Sequence, residues 1–174
     1  MATTYTLISS NVLTGSAASV TFSSIPSTYT DLVLKVSARS TRVANSNNLD
    51  LRINADSSAL YSYTYIYGSG SSAASSRSSA DTSVFVSTMN AANSTSNTFT
   101  SAEIYIPSYT VSQNKPFGSF GAFENNSATV NEIDANAHLY RSTSAITSLT
   151  LYSGLGSFNF DTGSSFYLYG IKNS

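Results

Sequence analysis

Residues 25–39, IPSTYTDLVLKVSAR, alternate between apolar and more polar side chains once the Ile25-Pro26 corner has passed. Every second residue from Leu32 to Ala38 is apolar, and these side chains would share one face of an extended chain. The side chains between them would share the opposite face: Val33, Lys35, Ser37 and Arg39. A period of two over this length is typical of a half-buried β-strand. We therefore predict a strand in the middle of a sheet, with Lys35 and Arg39 on its outer side.

The same period recurs along the rest of the chain. We predict further strands at 3–9, 19–23, 49–53, 60–67, 84–86, 99–107, 115–124, 131–141, 145–152 and 165–171. Turn-forming residues at 54–57 predict that strands 49–53 and 60–67 form a hairpin. No segment has the period of an amphipathic helix. The pattern predicts an all-β protein, an antiparallel β-sandwich, and the strand count favours a jelly-roll-like arrangement over a minimal immunoglobulin domain.

The composition agrees with a chain made of strands. Charged residues make up only 10%, while 12 Tyr and 9 Phe supply most of the large apolar side chains. Ser, Thr and Asn fill the polar positions, and these residues compete with helical hydrogen bonds, whereas aromatic residues pack well on a pleated surface. At 174 residues the chain is long enough to bury a core of its own. We predict a single domain over 1–174.

One long segment of this domain lacks any periodicity. Residues 68–83, GSGSSAASSRSSADTS, contain little bulk, and their charged residues are Arg77 and Asp81. Long segments without a pattern are typical of mobile or functional loops. We therefore predict a flexible Ser-rich loop at 68–83.

Charge and hydropathy exclude several classes of partner. The net charge is −1 and the eight basic residues are scattered, which argues against binding to nucleic acid. No apolar run approaches the roughly 18 residues that a membrane span needs, and the first residues resemble no secretory signal. The chain has no cysteine, so disulfides and thiolate sites are absent. We expect a soluble protein that is made in a cytoplasm and binds neither nucleic acid nor membrane.

A row of polar residues in segment 131–141 could carry chemistry. Acid, acid, amide and imidazole side chains alternate there with apolar ones: Glu132, Asp134, Asn136 and His138. On a strand, Asp134 and His138 would lie about 13 Å apart, because each residue advances the chain by about 3.3 Å. They could not share one metal ion, whose ligands lie near 2 Å. We interpret the row as a solvated face, and we predict no metal site.

Catalytic motifs are absent from the sequence. It contains no nucleophile elbow, no phosphate-binding glycine loop and no zinc-protease motif. A glycosidase needs only two carboxylates at a suitable separation, and the sequence leaves four candidates for such a pair: Glu103, Glu124, Glu132 and Asp134. Without a supporting group of residues, we predict that the protein is not an enzyme and needs no cofactor.

Tyrosines occupy every second position of segment 60–67. They are Tyr61, Tyr63, Tyr65 and Tyr67, and Ser62 and Thr64 lie on the other face. Because the bulkier face of a strand is usually buried, we expect this row to point inward and to pack across strands. Tyrosine is also favoured at protein interfaces and can stack on sugars, so the four residues are our candidates for an interface or glycan contact.

Two segments carry a resemblance to a known class of protein. The N-terminal run YTLISSNVLTGSAASVTFSSIPSTYTDLVLKVSARS and the closing SFYLYGIKNS resemble small β-rich virion structural proteins of tailed bacteriophages, cyanophages among them. The resemblance covers about the first forty and the last ten residues. No catalytic or binding motif accompanies it.

The resemblance implies a jelly-roll or sandwich module, often a homotrimer, that decorates a capsid or forms the tip of a tail fibre. The chain begins with Met and enters strands almost directly, without the heptad or collagen-like shaft that joins a fibre tip to a tail. We therefore expect a capsid decoration (cement) protein that binds the major capsid protein and copies of itself in the virion. The alternative is a tail-fibre or baseplate module that binds host carbohydrate, and an enzymatic alternative is a small polysaccharide depolymerase.

Overall fold

The structure is a computed structural model that describes residues 4–70, 72–127 and 130–172. These residues form β1 (Tyr5–Val12), β2 (Ser19–Phe22), β3 (Asp31–Ala38), β4 (Ser46–Ile53), β5 (Tyr61–Ser69), β6 (Ser72–Asp81), β7 (Val84–Asn90), β8 (Thr100–Ile106), β9 (Lys115–Phe123), β10 (Glu132–Tyr140), β11 (Leu149–Ser153) and β12 (Ser165–Ile171). The described part of the chain contains no helix that could span a membrane.

The strands form two antiparallel sheets. The larger sheet has the order β1-β12-β3-β8-β9-β10-β5-β6, and the smaller sheet has the order β2-β11-β4-β7. Their inner faces enclose one hydrophobic core. The predicted all-β, antiparallel β-sandwich is confirmed.

Strand pairs are nested along the chain. The first strand pairs with the last, β2 with β11, β3 with β8, and β4 with β7. These four pairs lie alternately in the large and the small sheet. The two remaining pairs, β5–β6 and β9–β10, extend the large sheet beyond β8. The chain therefore passes back and forth between the two sheets and does not complete one sheet before it begins the other.

Strand β3 lies inside the large sheet, between β12 and β8. Its predicted apolar face is buried, from Leu32 to Ala38, and Lys35 is exposed on the outer side. Arg39 differs from the prediction, because its side chain is buried. Its guanidinium donates hydrogen bonds to the carbonyl oxygens of Ser94 (3.0 Å) and Thr98 (2.9 Å), which fixes the loop after β7. Carbonyl groups of a loop can thus bury an arginine that the period of two places in solvent.

The predicted hairpin between segments 49–53 and 60–67 is wrong. Strand β4 pairs with β7 and β11 in the small sheet, whereas β5 pairs with β10 and β6 in the large sheet. The turn between them carries the chain from one sheet to the other. Tyr61 links the two sheets at this turn. Its hydroxyl accepts a hydrogen bond from the Ile53 amide of β4 at 3.0 Å and donates one to the Asp56 carbonyl oxygen at 2.9 Å.

The predicted flexible loop at 68–83 is also wrong. Its greater part is the ten-residue strand β6, which pairs with β5 along its whole length. Residue 71, between these two strands in the sequence, lies outside the described residues. Strand β6 is the last strand of the large sheet, and nearly all of its side chains are exposed on both faces. A strand that buries neither face has no reason to alternate, so the sequence shows no period there.

Candidate functional site

The polar row of strand β10 lies inside the protein. Asp134 is 1% exposed, Asn136 7% and His138 4%, so the predicted solvated face is wrong. The smaller sheet covers these side chains and provides partners from β7. Each of these side chains makes at least one hydrogen bond, which offsets much of the cost of burial, although Asn136 Oδ1 and His138 Nδ1 are buried without a partner among the described residues.

Hydrogen bonds connect the row to β7 and β9. Ser87 Oγ donates to Asp134 Oδ2 at 2.8 Å, and Asn136 Nδ2 donates to the Val86 carbonyl oxygen at 3.0 Å. Ser119 Oγ lies 2.8 Å from His138 Nε2 and donates to the same Val86 carbonyl oxygen. Since Ser119 has a single hydroxyl proton, it must accept a hydrogen bond from His138 Nε2–H. The imidazole is therefore the Nε2–H tautomer.

Burial controls the charge of these groups. It lowers the pKa of His138 to about 3 and raises the pKa of Asp134, although hydrogen bonds from Ser87 and Asn136 oppose the second change. The imidazole is neutral at physiological pH, and its Nδ1 atom is buried without a partner among the described residues. Within the same residues, no group of three or more His, Cys, Asp or Glu side chains could hold a metal ion. The row serves as a polar part of the core.

The four carboxylates that could have formed a glycosidase pair are mostly separated. Glu103 forms an ion pair with Lys35 on the outer face of the large sheet. Glu124 accepts hydrogen bonds from the backbone amides of the two residues that follow it. Glu132 and Asp134 lie next to each other on β10, and Thr88 donates to both. The structure thus brings two of the four together, at a place closed by β7.

One titratable group, Asp50, could not be recognised as unusual from the sequence. Burial raises the pKa of Asp50 to about 7, and a hydrogen bond from Ser83 at 3.1 Å only partly opposes this effect. Its Oδ1 atom is buried without a partner in the part of the chain that the structure describes. Asp50 alternates with Leu49 and Leu51, which is the pattern of a solvent-facing residue. The sequence therefore contained no signal of its burial.

The opposite side of β10 exposes the apolar residues of the same alternating segment. Together with neighbours on β9 and β5 they form what we call the outer apolar patch: Ile66, Phe120, Ile133, Ala135 and Ala137. Phe120 is 51% exposed, Ile133 52% and Ile66 62%. Strand β10 is therefore inverted, with polar side chains in the core and apolar side chains in solvent.

The register of the strands gives the patch protruding and recessed side chains. Ile66, Ala135 and Phe120 lie in one row across β5, β10 and β9, so two large side chains stand on either side of a small one. Gly118 lies on one side of this row and Gly68 on the other. Two open grooves result, of about 700 Å³ over Gly118 and about 630 Å³ over Gly68.

Polar and aromatic side chains continue the outer face beyond the patch. The Lys35–Glu103 ion pair lies next to Phe120 in register. The Tyr105 hydroxyl donates to Asp31 Oδ2 at 2.9 Å. Further along, Tyr5 and Tyr169 make an edge-on contact with ring centres 6.3 Å apart. The outer face is apolar at β5, β10 and β9, and amphipathic from β8 to β1.

The tyrosine row of β5 points inward, as predicted. Tyr61 is fully buried and stacks on Tyr140 at 4.8 Å, so it cannot contact a glycan or a partner. Tyr65 is half-buried between Phe85 (5.1 Å) and Tyr67 (5.6 Å). Packing explains the row, and an interface or glycan role of Tyr63, Tyr65 and Tyr67 stays a prediction.

Comparisons with known proteins give no relative for this chain. No protein-family model matches the sequence, no curated protein is significantly similar to it, and no solved structure significantly matches its fold.

Proposed function

We propose that this chain is a structural protein of tailed-bacteriophage particles, a capsid decoration (cement) protein that binds across capsomers as a homotrimer. Its partners in this role are the major capsid protein and further copies of itself, and it resides in the virion after assembly in the host cytoplasm. The role is structural and not catalytic. The resemblance of residues 5–40 and 165–174 to small phage virion proteins supports the proposal.

The order of the strands is the observation that carries the proposal furthest. Apart from the β5–β6 and β9–β10 pairs, the strands pair first with last and so on inward, in alternate sheets. We infer from this order a jelly-roll-like arrangement, an architecture that viral capsid domains share with lectins and cupins. The order supports a jelly-roll arrangement and, with the resemblance, a place among virion proteins. Because one fold serves many functions, the position on the particle is the quantity to measure.

The outer apolar patch supports a role in assembly. Ile66, Phe120 and Ile133 are each more than half exposed on neighbouring strands. Contiguous exposed apolar surface of this kind is typical of protein contact sites. A cement protein acts by such contacts, whereas an enzyme would need reactive groups in an accessible cleft.

A tail-fibre or baseplate module that binds host carbohydrate is the alternative. Lectins also use the jelly-roll architecture, and Tyr65 and Tyr67 are stacked and only half-buried. Aromatic faces of this kind can bind sugar rings. This alternative predicts that Tyr65→Ala removes binding on a glycan array, while Tyr5→Ala, an exposed tyrosine at the far edge of the same sheet, leaves it intact.

Cryo-electron microscopy of phage particles that contain the chain, with and without a fused tag on its C-terminus, tests the proposal. We expect extra density at regular positions on the shell, with a copy number comparable to that of the capsomer junctions. Density at the tail would contradict the cement proposal and support the alternative. Absence of the chain from purified particles, measured by mass spectrometry, would contradict both.

A further inference from the structure

We propose that copies of this chain bind one another through the outer face of the large sheet, with the outer apolar patch at the centre of the contact. The inference goes beyond the proposed function, because a contact between identical patches joins copies in pairs and is separate from the three-fold contact of a homotrimer. It names the surface and the partner, which is a second copy of this chain.

Inversion of β10 is the first observation behind this inference. A slip of one residue would place Ile133, Ala135 and Ala137 in the core and return Asp134 and His138 to solvent. Instead the polar row is held inside by hydrogen bonds to Ser87, Val86 and Ser119, and the apolar row is held outside. Departures from the usual pattern of burial concentrate where a protein has a function. An apolar row on the surface gains stability when another surface covers it.

The shape of the patch is complementary to itself. Ile66 and Phe120 protrude on either side of Ala135, and the two grooves lie directly beside them over Gly118 and Gly68. A second copy can therefore insert the protruding side chains of its own patch into these grooves. Contacts between identical patches require such a surface, with protrusions and depressions on the same face.

Charge on this face also favours a copy of the same chain. The described outward residues of β5, β10 and β9 carry no charge, from Thr64 through Ala137 to Gly118. Arg77 lies at one margin, opposite Thr64, and Glu103 lies at the other, beside Phe120. In a two-fold pair, Arg77 of one copy faces the margin of the other copy that carries Glu103 and its ion-pair partner Lys35.

The area available to a contact centred on the patch is moderate. The five strands from β6 to β8, spaced by about 4.8 Å, span about 24 Å, and about six residues of shared length add about 20 Å, which gives a face of roughly 480 Å². A standard protein interface buries about 800 Å² on each partner, so we expect an association that depends on concentration. The usual composition of an interface is an apolar centre with a polar rim in which tyrosine is frequent. The outer face has this composition, with Tyr105 on β8 beside the patch.

Light scattering and sedimentation of the whole chain over a concentration series test the inference. We expect pairs of copies that dissociate on dilution, since a contact between identical patches has two-fold symmetry. Phe120→Glu should weaken association by at least about tenfold, because it places like charges at the centre of every contact. Val43→Glu is the matched control, since it adds the same charge at an apolar residue that is 80% exposed outside the patch, and it should leave association unchanged. Circular dichroism confirms that each variant is folded.

A cross-linking experiment keeps the test decisive if Phe120→Glu fails to fold. The chain has no cysteine, so Ala135→Cys introduces a single thiol at the centre of the patch. With a short bismaleimide we expect covalent dimers from Ala135→Cys and none from Thr21→Cys, on an exposed position of the small sheet. A wild-type chain that is monomeric throughout, or an oligomer that neither Phe120→Glu nor cross-linking at Ala135→Cys affects, would overturn the inference.

Failure of the inference and failure of the proposed function are distinguishable. A monomeric chain that is still found on the capsid shell would refute self-association and leave the cement role in place. An oligomer that depends on the patch but is absent from particles would refute the cement role and leave the interface in place.

Discussion

His138 is neutral in the folded protein because it is buried, and this makes stability depend on pH. Its pKa falls from 6.5 to about 3 on folding, so its contribution is complete above pH 6.5 and is lost as pH falls from 6.5 towards 3. We predict that the destabilisation caused by His138→Gln becomes smaller at pH 5 than at pH 7, by roughly 2 kcal/mol, since 1.5 pH units correspond to about that free energy. Urea unfolding at both pH values measures the difference. An equal effect at both would contradict a buried neutral imidazole.

Asp50 is expected to act in the opposite direction over the same range. Burial raises its pKa from 3.8 to about 7, so its contribution is complete below pH 3.8 and is lost as pH rises through 7. We predict that the free energy of unfolding of the wild type rises relative to that of Asp50→Asn as pH falls from 7 to 5. Relative to that of His138→Gln, it should fall over the same range. The same urea measurements test this. A gap between wild type and Asp50→Asn that is constant with pH would show that the carboxyl group is solvated.

Gly121 and Gly118 lie on opposite faces of β9 and provide a test of the polar core. A Cβ atom at 121 would overlap the Ser87 side chain and lie 3.0 Å from Asp134 Oδ1, whereas one at 118 would meet only the Asn136 carbonyl oxygen, at 3.4 Å. We predict that Gly121→Ala lowers the free energy of unfolding by about 1–3 kcal/mol, as is typical of overpacking. Gly118→Ala should be near neutral. Unfolding in urea at low protein concentration compares them, and equal effects would contradict the close contact of β7 with β9.

At the scale of elements, β10 and β6 are the strands whose surroundings differ most from what their sequences indicate. Strand β10 alternates as expected, but its polar face is the buried one, because β7 supplies hydrogen-bond partners for it, and its apolar face is exposed. Strand β6 has no pattern because solvent lies on both faces. In each case the backbone pairing is ordinary, and only the environment of the side chains is unusual.

Hydrogen exchange distinguishes strand β6 from the loop that its sequence predicted. One edge of β6 pairs with β5, and in the described structure the other edge has no neighbouring strand. We predict that alternate amides of Ser72–Asp81 are protected while those between them exchange rapidly. Amides of β10, which has partners on both sides, should all exchange slowly and serve as the control. Rapid exchange at every amide of β6 would show that the segment is a loop in solution.

At the scale of the whole molecule, nested pairing joins distant parts of the chain. Strand β1 pairs with β12, so residues near the two ends lie side by side at one edge of the large sheet. Two further strand pairs continue this sheet in the other direction and create the face on which the outer apolar patch lies. The patch is therefore a consequence of these two additions, which the nested pairs do not require.

The sequence by itself determined the class of fold and the local state of most segments. A period of two in segments such as 32–38 and 115–124 predicts strands, because alternate side chains of a strand must enter different environments. The inward orientation of the Tyr61–Tyr67 row followed from the bulk of its side chains, because the bulkier face of a strand is usually buried. The resemblance to phage virion proteins suggested a function, and this function remains a proposal.

Only the tertiary structure decided which face of β10 is buried and which strands are neighbours. Alternation says that the two faces of β10 differ, but the choice between them depends on whether Ser87, Val86 and Ser119 arrive from other strands to satisfy Asp134, Asn136 and His138. Burial of Arg39 and of Asp50 likewise depends on groups that are distant in the chain. Such partners come together only when both sheets have formed, and no local pattern of residues encodes them.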